Sequence, residues 1–161
     1  MREGGMRATD VLVLNLEEVR RRSVKIWLAI PADRLRWRPD DGAMSCVEMV
    51  RHVLEGEYLY AQMLRSGASP ASDESPFTAR PYTSVEDELA FAEPYRREAL
   101  ELVRSYSPGD LSAKKVDRSD VGYVREAGDF ILRMAYHESV HAGQMLGYLR
   151  MMGAPRPNVW D

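Results

Sequence analysis

His137-Glu138-Ser139-Val140-His141-Ala142-Gly143-Gln144 lies inside a helical pattern that runs from about Ala127 to Met152. Two imidazoles four residues apart stand one turn above the other on a single helical face. That face also carries Phe130, Met134, Met145, Tyr148 and Met152, so both histidines are expected along the apolar stripe, toward the core. A buried polar group needs a partner, and a shared metal ion would supply one. The third histidine of the chain, His52, lies in another predicted helix.

Working outward, three more long helices are expected. The first spans Asp10 to Ile30, with Leu12, Leu16, Val19, Ile26 and Ile30 at three- and four-residue steps, Thr9 or Asp10 as its cap and Pro31 at its end. The run Arg20-Arg21-Arg22, interleaved with Glu17 and Glu18, reads as a solvated face of this helix. Leu35 and Trp37 in the following connection are placed to plug one end of the core. The second helix, Ser45 to Arg65, opens on a Ser45/Glu48 capping box and carries Cys46, Val50, Val53, Ala61 and Leu64. Cys46 reads as a small core residue, and Gly56 leaves space beside the imidazole of His52. Residues 66–82 are rich in Ser, Ala and Pro and read as a loop. At roughly 3.3 Å per extended residue this loop can run the length of a bundle, so the second and third helices are expected to lie parallel. The third helix, Ser84 to Tyr106, has capping signals at Thr83/Glu86 and Ser84/Asp87. Pro94 should kink or split it, and Pro108-Gly109-Asp110 should end it. Leu111 to Arg125 alternates weakly and reads as a small extended or hairpin element. The tail ends in Trp160, expected to dock on the bundle or on a partner chain, and residues 1–8 are expected to fray.

A chain of 161 residues suits one domain with a sizeable core. Its net charge of −3 gives no footprint for nucleic acid or an anionic membrane. No apolar run approaches the roughly 18 residues of a membrane span, and a single cysteine fits a reducing compartment. A soluble, cytoplasmic protein is expected.

Three neutral imidazoles from His52, His137 and His141 would leave coordination positions open, as in catalytic rather than structural zinc sites. The string His137-Glu138-x-x-His141 also matches a zinc-protease motif, but the 20 residues after His141 contain no Glu or His to complete it. A di-iron carboxylate bundle needs Glu-x-x-His pairs, which neither His52 nor His137 has. Glu138 therefore reads as a helix-surface carboxylate, with a second reading as a general base or outer-sphere group beside the metal. Gln144 is placed to orient a ligand or water, or to pack. Tyr58 and Tyr148 read as core, with a pocket role as the lesser alternative.

The chain resembles the DinB-like (YfiT-like) family of bacterial metalloproteins. The resemblance rests on Trp37-Arg38-Pro39 followed by Met44-Ser45 and His52, on His137-x-x-x-His141-x-Gly143-Gln144, and on the exit through Leu149-Arg150, Gly153, Pro155 and Pro157. Ala142 departs from the arginine that the family often has there. The resemblance implies an all-α, four-helix bundle with up-down-down-up topology and a long crossover. It implies a divalent metal on His52, His137 and His141, with zinc or nickel ahead of manganese or iron, and commonly a homodimer. It also implies small-molecule chemistry: transfer of a low-molecular-weight thiol or metal-dependent hydrolysis, with Glu138 and Gln144 as catalytic candidates. The competing expectation is a metal-stabilised or sensor bundle that turns nothing over.

Overall fold

The computed structural model describes residues 5–72 and 74–161. Four long helices carry the fold: α1 (Ala8–Leu28), α2 (Cys46–Ser66), α3 (Val85–Ser105) and α5 (Ala127–Met151). Between the last two lie a one-and-a-half-turn helix α4 (Pro108–Ala113) and a hairpin of β1 (Lys115–Arg118) and β2 (Tyr123–Glu126). Pro108 therefore does not simply stop the third helix. Ser107 caps a new helix by accepting the Asp110 N–H, and Pro108 fills the first turn, where its missing N–H costs nothing. The hairpin pairs Lys115 with Glu126 and Arg118 with Tyr123 in antiparallel register, which resolves the weak alternation of this stretch.

Two core clusters fix the helix directions. At one end Leu12, Leu16, Met63, Leu64, Val103, Phe130 and Met134 pack together. At the other, Ile26, Trp27, Cys46, Val50, Val85, Met145 and Leu149 do so. The start of α1 thus meets the start of α5 and the ends of α2 and α3, so α1 and α5 run one way and α2 and α3 the other. This is the up-down-down-up order. α1 packs on α5 and α3, and α2 packs on α3 and α5, closing a ring. Leu35 and Trp37 cover the second cluster, with the Trp37 ring edge-on to Tyr148 at 5.4 Å.

Local chemistry sets the helix ends. Ser45 N–H donates to Glu48 at 2.7 Å at the start of α2, and Ser84 accepts from Asp87 N–H at the start of α3. α1 begins two residues earlier than expected, at Ala8, with Asp10 accepting from the Arg7 N–H. Of the residues expected to fray, 1–4 lie outside the described residues, and Ala8 is already helical. α2 ends on Gly67 in the left-handed region (φ 71°), where a side chain would also approach the Lys115 carbonyl at 3.2 Å. Pro94 does not split α3, which runs unbroken across it. The crossover between α2 and α3 is pinned by Arg51, which donates to the Arg80 and Pro81 carbonyls and to Glu88.

All four long helices meet at one buried ionic network. Arg20 of α1 donates to Glu138 of α5 (2.8 and 2.9 Å) and to Glu57 of α2 (2.8 Å). Arg96 of α3 donates to the other Glu57 oxygen at 2.6 Å and to the Leu16 carbonyl at 3.0 Å. Two corrections follow from it. Arg20 is not part of a solvated basic run: it is 6% exposed, while Arg21 and Arg22 do face outward onto Glu18 and the tail. Glu138 is not a surface carboxylate either, being as buried as Arg20. Burial alone would lower the Arg20 pKa, but the charges of Glu57 and Glu138 more than reverse this and raise it.

Removing one partner from such a network strands a buried charge, which costs about 3–5 kcal/mol. Arg20→Met should therefore lower the unfolding free energy read from urea titration by that order, because Glu138 loses its ion-pair partner and Glu57 keeps only Arg96. Arg21→Met, on the exposed face, should move it by less than about 1 kcal/mol.

Candidate metal centre

His137 and His141 leave α5 one turn apart, and His52 faces them from α2. One ring nitrogen from each lies within 4.8 Å of the others. The Nε2 atoms of His52 and His137 are 3.0 Å apart, close to the separation of two imidazoles that share an ion at about 2.0–2.1 Å. The three rings stand mutually edge to face, with centroids 4.7–5.0 Å apart. The cluster sits at the flank of the bundle and not in its core. His52 is exposed and the other two are half-buried. The helical wheel placed both α5 histidines along the apolar stripe, toward the core; the structure instead sets them at its edge, where the α2–α5 seam opens to solvent.

Three features prepare the rings. Gly56 makes room: a Cβ there would stand 3.0 Å from Cε1 and 3.5 Å from Nδ1 of His137. The glycine thus serves the His137 ring and not the His52 ring, as its place in α2 had suggested. Gln144 Oε1 lies 2.7 Å from His141 Nδ1. Nδ1–H donating to this oxygen leaves Nε2 with its lone pair free for an ion, a common way to fix the tautomer of a metal ligand. Tyr60 presents its ring edge-on to His137 at 5.6 Å and to Phe130 at 5.3 Å, closing the inner side.

The electrostatics disfavour charge on two of the rings, His137 and His52. Burial, followed by the neighbouring His141, His52 and Arg133, pushes His137 down to about 4. Burial and His141 lower His52, with Glu55 opposing them. Deprotonated imidazoles are the form that binds a divalent ion.

The remaining candidates divide cleanly. Gln144 reaches the cluster through His141. Both Glu138 oxygens are taken by Arg20, on the core side of α5. Tyr58 packs on Phe77 and Tyr95, and Tyr148 donates to the Met44 carbonyl, so neither touches the histidines. Cys46 is fully buried and its thiol is pushed up to about 11 by burial, as a core residue's would be. Trp160 does not dock on any of the described residues, being 93% exposed, while Asp161 beside it pairs with Lys25 and Arg21. Tyr60 went unnoticed in the sequence, although it stands two turns beyond His52 on α2.

Residues 15–145 match the DinB superfamily. The chain belongs to the DinB superfamily. It is similar to the Bacillus subtilis protein YjoA, with 25% identity over 125 residues, 77% of each chain. The crystal structure of YjoA, described as a DinB-like protein, superposes with a TM-score of 0.69 over 92% of this chain and 96% of that one, at 19% identity. That likeness extends the fold well beyond the paired-histidine helix. The fit of a divalent ion to this member rests on its own geometry: three converging imidazoles, one with its tautomer already set.

Two outcomes test this geometry. Gly56→Ala should favour α2 as a helix by up to about 1 kcal/mol, yet weaken divalent-ion binding at least tenfold by displacing the His137 ring; calorimetric titration against zinc and nickel reads both affinities. In the metal-free protein, His137 titrates lower when folded than the ordinary 6.5. The unfolded chain then binds more protons between pH 6.5 and about 4, so stability should fall as the pH drops through that window. Urea midpoints at pH 7 and pH 4.5 should therefore differ by more in the wild type than in His137→Phe.

Proposed function

We propose that this DinB-superfamily protein is a metal-dependent enzyme that activates a low-molecular-weight thiol for transfer to an electrophilic small molecule. The observation that carries the reading is the convergence of His52, His137 and His141 at a solvent-open seam. Three protein ligands leave positions for an exchangeable group, and exposure lets a small molecule reach them. When bound, a divalent ion there supplies Lewis acidity, which makes a thiol or a water a stronger nucleophile at neutral pH. Zinc and nickel suit an all-imidazole donor set best, and carboxylate-rich sites suit manganese better.

The chain's own residues do the rest. The His141–Gln144 hydrogen bond holds one ring in the binding tautomer. Tyr60 and Gly56 set the position of the His137 ring. The buried network behind them keeps α2 and α5 at the spacing that the ligand set requires.

Thiol transfer is favoured over hydrolysis by the position of Glu138. Hydrolysis calls for a base that accepts the proton of water within hydrogen-bond reach, and the one carboxylate of the histidine motif is bound on both oxygens by Arg20. A thiol carries a far lower pKa than water and loses its proton without such a base.

The test begins with metal content. Protein supplemented with zinc or nickel should carry one ion per chain, and His52→Ala should lose at least tenfold in affinity. The loaded protein is then assayed with cysteine, glutathione and other small thiols against monochlorobimane. Acceleration that disappears in His137→Ala supports the transferase. A protein that holds its ion but accelerates no thiol, and instead unfolds when the ion is chelated, is a metal-stabilised bundle.

A further inference from the structure

Arg133 is a charged group close to the histidines in sequence that the reading above leaves without a task. It lies on α5 one turn before His137, so both side chains leave the helix on one side. Its Nε is buried without a hydrogen-bond partner, and among the described residues no carboxylate pairs with its guanidinium. Beneath it lies the ring of Tyr123, from β2, with 5.0 Å between Cζ and the ring centroid. Two more guanidiniums share that ring, Arg125 at 5.4 Å and Arg118 at 5.6 Å. Each of those is engaged elsewhere. Arg125 donates to Asp129 at 2.7 Å, and Arg118 donates to Ser69 and to the Tyr123 hydroxyl. Only the Arg133 fork is left with nothing to hold.

A cavity of about 250 Å³ adjoins it, lined by Arg125, Asp129, Leu132, Arg133 and Tyr136. Asp129, the one acid in that lining, is neutralised by Arg125. With Arg125 spent on Asp129, Arg118 and Arg133 remain without an ion-pair partner among the described residues and make a local positive field on a chain whose net charge is −3. The histidines add no negative charge to cancel it, and an ion held by them would strengthen it. A half-buried guanidinium without a counter-ion has lost hydration and gained no partner in return. Its planar fork, with Cζ 5.0 Å from the Tyr123 ring centre, matches a carboxylate in two parallel hydrogen bonds.

We propose that Arg133 forms an anion subsite beside the three-histidine centre and takes the carboxylate of a small organic acid whose other end reaches the histidines. Under the transferase reading, on which the second half of this assignment rests, the thiol or its acceptor is then a carboxylate-bearing molecule. Arg133 would set which molecules are accepted, and the tyrosine-stacked hairpin would be a wall of the binding site.

The first arm of the test uses metal-free protein and so does not depend on the histidines holding an ion. The Arg133 Nε–H signal in a nitrogen-15 spectrum, identified by its absence in Arg133→Lys, is followed while succinate, phosphate or chloride is added at matched ionic strength. A saturating shift with succinate that chloride does not reproduce is expected. A shift that only follows ionic strength, or one that saturates with phosphate but not with succinate, overturns the carboxylate assignment. The second arm uses cobalt-loaded protein and reads thiol binding from the visible absorption of the ion. 3-Mercaptopropionate should bind at least tenfold more tightly than 3-mercaptopropan-1-ol. In Arg133→Gln that preference should vanish while the neutral thiol binds as before. A preference that survives in Arg133→Gln places the anion elsewhere and ends the proposal. Failure to take up cobalt would instead count against the metal reading, and the first arm would still decide the subsite.

Discussion

Arg20 sits where the four long helices come closest, and its charge must be met there. A buried guanidinium cannot discard its proton, so the bundle has to bring carboxylates to it. Glu57 arrives from α2 and Glu138 from α5, and Arg96 from α3 balances the second negative charge. Sliding or rotating any of these helices would strand a charge in the interior. An apolar core alone tolerates many small shifts of packing; a network of this kind tolerates few. The apolar clusters at either end supply most of the burial, and the ions select the one alignment in which all four helices agree.

The three-histidine cluster inherits that alignment. Glu57 follows Gly56, whose missing side chain admits the His137 ring, and Glu138 follows His137 itself. The same two helices are therefore tied on their inner faces by ions and present their imidazoles at the adjoining seam. The site lies at the bundle's edge because its ligands flank the core stripe by part of a turn. That offset separates a structural ion sealed in a core from one that a small molecule can approach.

Much of this was legible along the chain, where the signal is local. The Ser45/Glu48 capping box and the length of the 66–82 connection each depend on a few neighbouring residues, and each was realised in the fold. The three histidines could be grouped because the chain has no others. Less legible were groups whose neighbours are distant in sequence. Arg20 stands in a row of three arginines and looked solvated, although it lies four residues from Leu16 and seven from Trp27 on the buried stripe. Glu138 sits inside a metal-protease string that invited a catalytic reading, while its partner is 118 residues away. Pro94 suggested a break that packing on both sides of α3 overrides. Tyr60 carried no signal, being one of eight tyrosines in the chain.

The sequence by itself determined the four long helices, the Ser45 and Ser84 caps, the parallel pair joined by a long crossover, and which three imidazoles could be grouped, because periodicity and spacing are properties of short stretches. Tertiary structure alone decided which charges are buried, which side of α5 the histidines occupy, which ring Gly56 accommodates, and that Arg133 stands unpaired beside them. Burial and electrostatic partnership depend on groups brought together from four helices and a hairpin, and no window along the chain contains them.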